Sequence, residues 1–506
     1  MLSPEQQYAF EKFKRGENLF ITGPGGTGKT KLIQTFVEYM SINNIKFQVC
    51  ALTGCAAVLL GNCKARTLHS WAGMGLANGP KDKVIQKIIK NRRTISGWNK
   101  VKILIIDEVS MMSKKVFEII EQAGRNIKKN PLPFGGIQVI FTGDFFQLPP
   151  VGNIEEEDTC KFAFESEIWN KVFPRNNNIQ LHTIFRQKDK QYTDILNQIR
   201  QGYIDDTNKE ILSRYVNRPK DNIIAPAKLF AIRAKADFVN KAQYSKLEGE
   251  EINYTIEKSR DLMTYMDSGK LIESGLIDIC RKLDQEFIDN EIEYLITNNN
   301  RVPILGLKIG ASVMCLHNLD IDNGICNGSQ GIIKEFITKD SIRIPVVLFS
   351  NGIKIPIEYQ WIQSDDYPCI GISQIPLCLS WALTIHKIQG ATLPIAEMDL
   401  GNSVFEYGQS YVALSRIQSM EGLYLSAFQA NKIRANPIVK QFYAELPELD
   451  YSPESIISIS SIPIKKNISP KNIFERFNYK ESESQPESEL VEEKYITDPN
   501  IKRIRI

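Results

Sequence analysis

The stretch NLFITGPGGTGKTKLIQTFVEYM, Asn18 to Met40, decides the reading of this chain. NLFIT is a short apolar strand pattern and KLIQTFVEYM is helical. Between them GPGGTGKT, Gly23 to Thr30, fits GxxxxGK[ST]. Strand, glycine-rich turn and helix in that order make a phosphate loop. Glycines let backbone N–H groups turn inward at a helix N-terminus, where they meet phosphate oxygens. Gly23, Pro24, Gly25, Gly26, Thr27 and Gly28 would then wrap the phosphates of ATP. Lys29 would neutralise the β and γ phosphates, and the Thr30 hydroxyl would bind Mg2+.

Further apolar runs follow with helical stretches between them: KFQVCALTG from Lys46, KILIIDE from Lys102 and IQVIFTGD from Ile137. This is the rhythm of a parallel α/β sheet, whose strand ends open onto one ligand-binding edge. Val116, Ile119, Ile120, Ala123 and Ile127 fall on one helical face and predict a helix over 114–128 that packs on the sheet. KILIIDE ends on Asp107 and Glu108 at the mouth of a buried strand. There the first carboxylate can hold Mg2+ and the second can polarise an attacking water. FTGDFFQLPPV, Phe141 to Val151, places Gln147 on a strand-exit loop stiffened by Pro149 and Pro150.

A chain of 506 residues calls for two or more cores. The phosphate-loop block is read as a first lobe over 1–178, interrupted by an insertion at about 62–99. A second α/β block over 179–447 carries LSWALTIH, AEMDL, YGQSYVALSRI and GLYLSAF. Between about 246 and 378 the pattern turns to Gly-rich, β-branched segments such as GASVMCL and IRIPVVLF, which predict a small β-barrel insertion. Residues 448–506, rich in Ser, Lys and Glu, read as a mobile tail.

A hydrophobic content of 42%, 24% charged residues and no apolar run near the ~20 residues needed for a bilayer describe a globular protein without a membrane span. The net charge of +3 permits a nucleic-acid partner without arguing for one. The N-terminus lacks the pattern of a secretory leader, and nine cysteines, an odd number, point to reduced thiols. The expectation is an intracellular protein of nucleus or cytoplasm, with a viral factory or mitochondrion also open, and not a secreted one. Cys50, Cys55 and Cys63 lack the paired spacing of a zinc site and read as core thiols.

Asp107-Glu108-Val109-Ser110 followed by GDFFQLPP resembles superfamily one DNA helicases of the Pif type, and further motifs fall into order around them. LSPEQ resembles the adenine-reading Q motif, with Gln6 in the discriminating position. LTGCAAVLL and TLHSW resemble the DNA-contacting motif that follows the phosphate loop, implicating Thr53, Thr67 and His69. IFRQKD resembles the fourth motif, making Arg186 a candidate arginine finger. LSWALTIHKIQGATL resembles the fifth, with Thr384, His386 and Lys387 toward DNA and Gln389 and Gly390 toward the nucleotide. YVALSRI resembles the sixth, with Arg416 as a second finger. Cys55, Cys63, Ile388 and Ala391 depart from the pattern. Phe145, Trp71 and Trp381 are either stacking surfaces for bases or core residues.

The resemblance covers roughly Leu2 to Phe428. It implies two RecA-like lobes with parallel sheets, a wedge in the first insertion and ATP with Mg2+ as cofactors. It also implies movement five-prime to three-prime on single-stranded DNA with opening of duplex or forked DNA, and the expectation is a motor that works as a monomer. An RNA or RNA-DNA hybrid helicase, or a small-molecule ATPase, are the rival readings.

Overall fold

Strand β1 (Leu19–Thr22) lies one in from the edge of a six-stranded sheet with β2 (Phe47–Ala51), β3 (Arg66–Thr67), β4 (Ile103–Asp107), β5 (Gln138–Gly143) and β6 (Asn178–Gln180). Their order is β3-β2-β4-β5-β1-β6 and every pairing is parallel. The computed structural model describes residues 2–53, 56, 57, 60, 63, 65–75, 77–187, 189–219, 226–259, 283–298, 301–317, 319, 320, 323, 325, 328–364, 370–385, 388–390 and 392–461. Among them no helix is long and apolar enough to cross a membrane.

The continuous apolar runs of β1, β4 and β5 follow from burial on both faces. Phe20, Leu104, Ile106, Val139 and Phe141 point to one face. Leu19, Ile21, Ile103, Ile105 and Ile140 point to the other. The helix Lys114–Lys128 covers the first face, as its spacing predicts, with Ser113 capping it by accepting from Val116 N. The helices Lys81–Lys90 and Arg92–Lys100 of the first insertion join that core through Val84, Ile85, Ile88 and Trp98. The helices Pro4–Lys14 and Lys29–Ile42 cover the second face.

A second parallel sheet has the strands Ala382–Thr384, Ala227–Phe230, Ala396–Leu400 and Leu423–Phe428 in that spatial order. Between them in sequence, Ser312–Cys315, Gln330–Lys339, Ile342–Phe349, Lys354–Pro356 and Leu377–Leu379 form an antiparallel five-stranded sheet with its own core around Val313, Cys315, Ile333 and Val347.

Three expectations need correction. The sheet of the first lobe continues past residue 178, because β6 pairs with β1 from Phe20↔Asn178 to Thr22↔Gln180. The helix Pro437–Ala444, assigned by position to the second lobe, packs on the first: Phe442 stacks on Phe164 at 4.2 Å and meets Phe145 edge-on at 5.6 Å. The tail is folded at its start, since the helix Pro453–Ser461 packs on Pro4–Lys14, with Ile459 buried and Leu449, Tyr451 and Ile456 half-buried against it. Tyr451 meets Tyr8 edge-on at 5.3 Å and donates to Gln180 O at 3.1 Å. Residues 462–506 of the expected tail lie outside the described residues.

The placement of Phe442 gives a direct test. Phe442→Ala should cost about 3 kcal/mol and should raise hydrogen exchange in β1 and β5, followed amide by amide. Loss of protection confined to the second parallel sheet would assign the helix to the other core.

Candidate functional site

Parallel pairing aligns the carboxyl ends of β1, β4 and β5, with Thr22 opposite Gly143 and Ala51 opposite Asp107, so the chemistry-bearing residues gather on one edge. The phosphate loop leaves β1 there. Gly26 and Gly28 have φ of 91° and 78°, a region that favours glycine. Space excludes a side chain as well: a Cβ on Gly26 would stand 2.6 Å from Arg186 Cβ, and one on Gly28 2.7 Å from Gln6 Nε2. Gln6 closes a capping box with Ser3 and donates its amide to Thr27 O at 3.0 Å, so it braces the loop from behind. The Thr27 hydroxyl donates to Pro24 O.

Lys29 points into the loop and donates to Gly23 O at 2.7 Å and Pro24 O at 3.0 Å. Burial pulls its pKa below the usual range, against the opposing charges of Asp144, Glu108 and Asp107. Thr30 is exposed in the first helical turn. Asp107 accepts from the Thr142 hydroxyl and from Glu108 N, both on Oδ1, which leaves Oδ2 open. Burial, with the Glu108 charge beside it, pushes the Asp107 carboxyl up to about 6. Glu108 sits in the left-handed region at φ 56°, a strained backbone for a side chain with a Cβ. The Gln389 amide donates to the Glu108 carboxylate at 3.3 Å across from the second sheet, and Gly390 follows at φ 81°.

Two arginines reach the loop from outside the first sheet. Phe185 N donates to Gly26 O at 2.8 Å, which lays the following residue, Arg186, against the loop. Arg186 Nη1 donates to Ser415 O at 2.9 Å. Burial, with the nearby Arg416 charge, lowers Arg186 to about 10, so it stays protonated at neutral pH. Arg416 is 2% exposed and donates to Ser415 Oγ at 2.7 Å and to Val412 O at 3.0 Å. A Cβ on Gly25 would lie 3.6 Å from Arg416 Nη2. Gln147 is buried, and its Oε1 has no hydrogen-bond partner among the described residues.

The DNA-facing candidates are less concentrated. Thr53 accepts from Ala56 N, Thr67 is buried at the end of β3, and His69 is half-buried on the short helix Leu68–Ala72. Burial lowers the His69 pKa and favours the neutral ring. Thr384 is buried at the end of its strand. His386 and Lys387 lie outside the described residues. Phe145 and Trp71 are core: Phe145 is 1% exposed inside an aromatic cluster, and Trp71 packs on Trp98 at 4.6 Å. Trp381 packs edge-on against Tyr244 at 6.4 Å.

Sequence reasoning missed the hub behind the loop. Asp144, fully buried, receives Arg200 Nε and Nη2 at 2.9 Å each, Tyr411 OH at 3.2 Å, Tyr443 OH at 3.3 Å and Phe146 N at 3.2 Å. Tyr443 also bonds the Thr22 hydroxyl and accepts from Phe145 N. The Arg200 guanidinium lies 4.4 Å from the Phe146 ring centre and 5.1 Å from that of Tyr443. Burial works against its charge, but Asp144 outweighs burial and raises its pKa. Asp144 in GDFF was visible as a motif residue; nothing local marks Arg200, Tyr411 or Tyr443 as its partners.

Asp144→Asn should therefore destabilise the fold by about 3–5 kcal/mol, because it strands a buried guanidinium. Adding Arg200→Met should recover part of that loss in urea titrations. A double variant that loses the sum of the two single effects would show that the pair carries no coupling.

Residues 1–210 match the family described as PIF1-like helicase, and residues 295–336 match the DNA helicase Pif1 2B domain. The chain is 33% identical to the ATP-dependent DNA helicase RRM3 of Saccharomyces cerevisiae, over 86% of this chain and 66% of that protein. It spans 56 to 66% of the length of RRM3 and of two fungal PIF1 relatives that it also matches. The crystal structure of Pif1 helicase from Candida albicans superposes with a TM-score of 0.69 at 31% identity, over 88% of this chain and 100% of that one. The structure of Pif1 helicase from Bacteroides in complex with ADP-AlF3 and ssDNA gives 0.57 at 26% identity, over 88% of this chain and 96% of that one. Two parallel sheets, one ordered motif set along their facing edges and a relative matched along its full crystallised length lead to one assignment: this chain belongs to the PIF1-like helicase family.

Proposed function

We propose that this chain is an ATP-dependent DNA helicase that translocates five-prime to three-prime on single-stranded DNA and opens duplex or forked DNA. The observation that carries the reading is the meeting of Arg186 and Arg416 at Ser415, over Gly25 and Gly26 of the phosphate loop. A small-molecule ATPase needs no second block delivering cations to its loop. A motor does, because lobe closure must then coincide with hydrolysis. DNA as the partner follows the relatives, one of which is seen with both a nucleotide analogue and single-stranded DNA.

In this reading ATP lies in the loop with Lys29 on its β and γ phosphates and Gln6 toward the adenine. The open Oδ2 of Asp107 and the Thr30 hydroxyl, which makes no hydrogen bond among the described residues, fit Mg2+. Held there by Asp107 and Thr30, Mg2+ would neutralise negative charge on the phosphates. Glu108, aimed by Gln389, accepts a proton from the water that attacks the γ phosphorus as the bond to the ADP oxygen breaks. Gln147 offers its unpaired amide oxygen to that water. Arg186 and Arg416 stabilise the charge on the transferring group as bidentate donors.

The first RecA-like lobe then comprises residues up to about 180 together with the helices from 437 to 461, with a wedge at about 62–99. The second comprises about 181–436 with its insertion at 246–378. Thr53, Thr67, His69, Thr384, His386 and Lys387 would line the DNA path, and the motor would act as a monomer. Its setting would be intracellular, in replication, repair, recombination or telomere maintenance.

The test is Mg-ATP-dependent strand separation on matched duplexes with a five-prime or a three-prime tail. Unwinding of only the five-prime tailed substrate is expected, with loss in Lys29→Ala. Arg186→Ala and Arg416→Ala should each lower kcat by about 10³ with little change in KM for ATP. Unwinding from the three-prime tail overturns the polarity, selective unwinding of RNA-DNA hybrids overturns the substrate, and DNA-independent ATPase without unwinding overturns the motor.

A further inference from the structure

The hydroxyl of Tyr411 stands between two parts of the site. It accepts the backbone N–H of Gly25 at 2.8 Å and donates to Asp144 Oδ2 at 3.2 Å. Both bonds use the one hydroxyl without conflict, since a phenol donates one proton and accepts on its lone pairs. Tyr411 is 2% exposed, so neither bond competes with bulk water. Its helix, Gln409–Leu414, begins at Gly408, whose left-handed φ of 74° brings the backbone against the Phe146 and Gln147 carbonyls. It ends where Ser415 and Arg416 begin. Arg416 Nε donates to Val412 O, the carbonyl next to Tyr411, so the guanidinium is folded onto the turn that the tyrosine anchors.

We propose that Tyr411 is the positioning residue for Arg416: its hydroxyl pins the Gln409–Leu414 helix to the Gly25 amide on one side and to Asp144 on the other. This sets the height of Arg416 above the phosphate loop. The inference rests on the reading of Arg416 as a cation for the transferring phosphoryl group. The pin matters because the helix is only six residues long, and the side-chain bonds at its carboxyl end, from Ser415 Oγ and Arg416 Nε to Val412 O, tie it to itself and not to the phosphate loop. Tyr192 OH on Leu414 O holds the same end from the second core but touches neither the loop nor Asp144. A shift of about 1 Å in a group that must meet a phosphoryl oxygen can lower rate about 100-fold without changing ground-state binding.

Tyr411→Phe keeps the ring in its buried site and removes only the hydroxyl. The expected result is a fall in kcat of about tenfold, less than the about 100-fold of a full 1 Å displacement, with KM for ATP and Kd for ADP unchanged. Tyr443→Phe is the comparison: it takes a donor from the same Asp144, together with the bonds to Thr22 and Phe145 N, but leaves the Gly25 bond intact, and it should lower kcat less than Tyr411→Phe does. In an Arg416→Ala background, Tyr411→Phe should add no further loss, since the residue it positions is gone.

Additive losses in the double variant, or a rise in KM with kcat retained, would overturn the positioning role. So would an equal fall in kcat in Tyr443→Phe, which would trace the effect to the hub around Asp144 and not to the Gly25 bond. Both DNA-free and DNA-stimulated hydrolysis are measured. A wild-type chain that hydrolyses ATP without responding to DNA removes the helicase reading but leaves the cycle of variants decisive for Tyr411, and a wild type that hydrolyses no ATP overturns both.

Discussion

The buried Asp144–Arg200 pair is the constraint on which the rest of the site depends. Asp144 closes the turn after β5 of the first sheet, and Arg200 is the last residue of the helix Lys190–Arg200, whose Tyr192, Ile195, Leu196 and Ile199 belong to the second core. One bidentate contact therefore joins the two cores directly behind the phosphate loop. Such a pair is weak evidence for stability, because removing two charges from water costs several kcal/mol per ion. Its value is geometric. A planar guanidinium facing a carboxylate in two parallel bonds, stacked on Phe146, leaves little freedom in angle or distance. Tyr411 and Tyr443 then take their positions from a fixed carboxylate, and through them so do Gly25 and Thr22 at the two ends of the loop's root.

The same edge stores strain and exposed chemistry next to that rigid point. Glu108 is left-handed while β4, immediately before it, is buried at all five positions, so the turn cannot relax by sliding the strand. Asp107 is held by Thr142 from β5, and Glu108 is met by Gln389 from the second block. The two neighbouring carboxylates thus answer to different parts of the molecule. One is fixed within the first sheet. The other is oriented only while the second block is in contact.

The legible part of the sequence was the part in which local pattern and global fold agree. Buried parallel strands are short apolar runs, an amphipathic helix such as Lys114–Lys128 shows its stripe, and a phosphate loop is defined by residues adjacent in sequence. The resemblance ordered the remaining motifs. What could not be read were contacts whose partners are far apart in the chain: Asp144 meets Arg200 across 56 positions, Tyr411 across 267 and Tyr443 across 299. The C-terminal helices were misplaced for the same reason. Phe442 and Tyr451 are unremarkable in their own segments, and only the hydrophobic faces left open by Phe164 and Tyr8, hundreds of residues earlier, explain why they fold back. For Phe145 and Trp71 the sequence leaves two roles open, and the fold selects one. Aromatics beside functional motifs invite a stacking role, yet here they fill the layer between sheet and helices.

Because the chain returns to the first core after Phe428, the block carrying the second sheet is bounded at both ends by first-core structure, β6 before it and the helix Pro437–Ala444 after it. In the proposed cycle any motion of that block must bend both connections together. Energetics then decides where it pivots and where it opens. Breaking the Asp144–Arg200 pair would leave buried charges uncompensated, at about 3–5 kcal/mol. The contacts nearer the phosphate loop are single hydrogen bonds, Gln389 to Glu108 at 3.3 Å and Phe185 N to the Gly26 carbonyl at 2.8 Å, each worth about 1–2 kcal/mol net. The stronger contact lies behind the loop and the weaker ones in front of it. A block hinged on the former and released at the latter opens the face where ATP would enter while Asp144, and the helix ends bound to it, keep their register with β5.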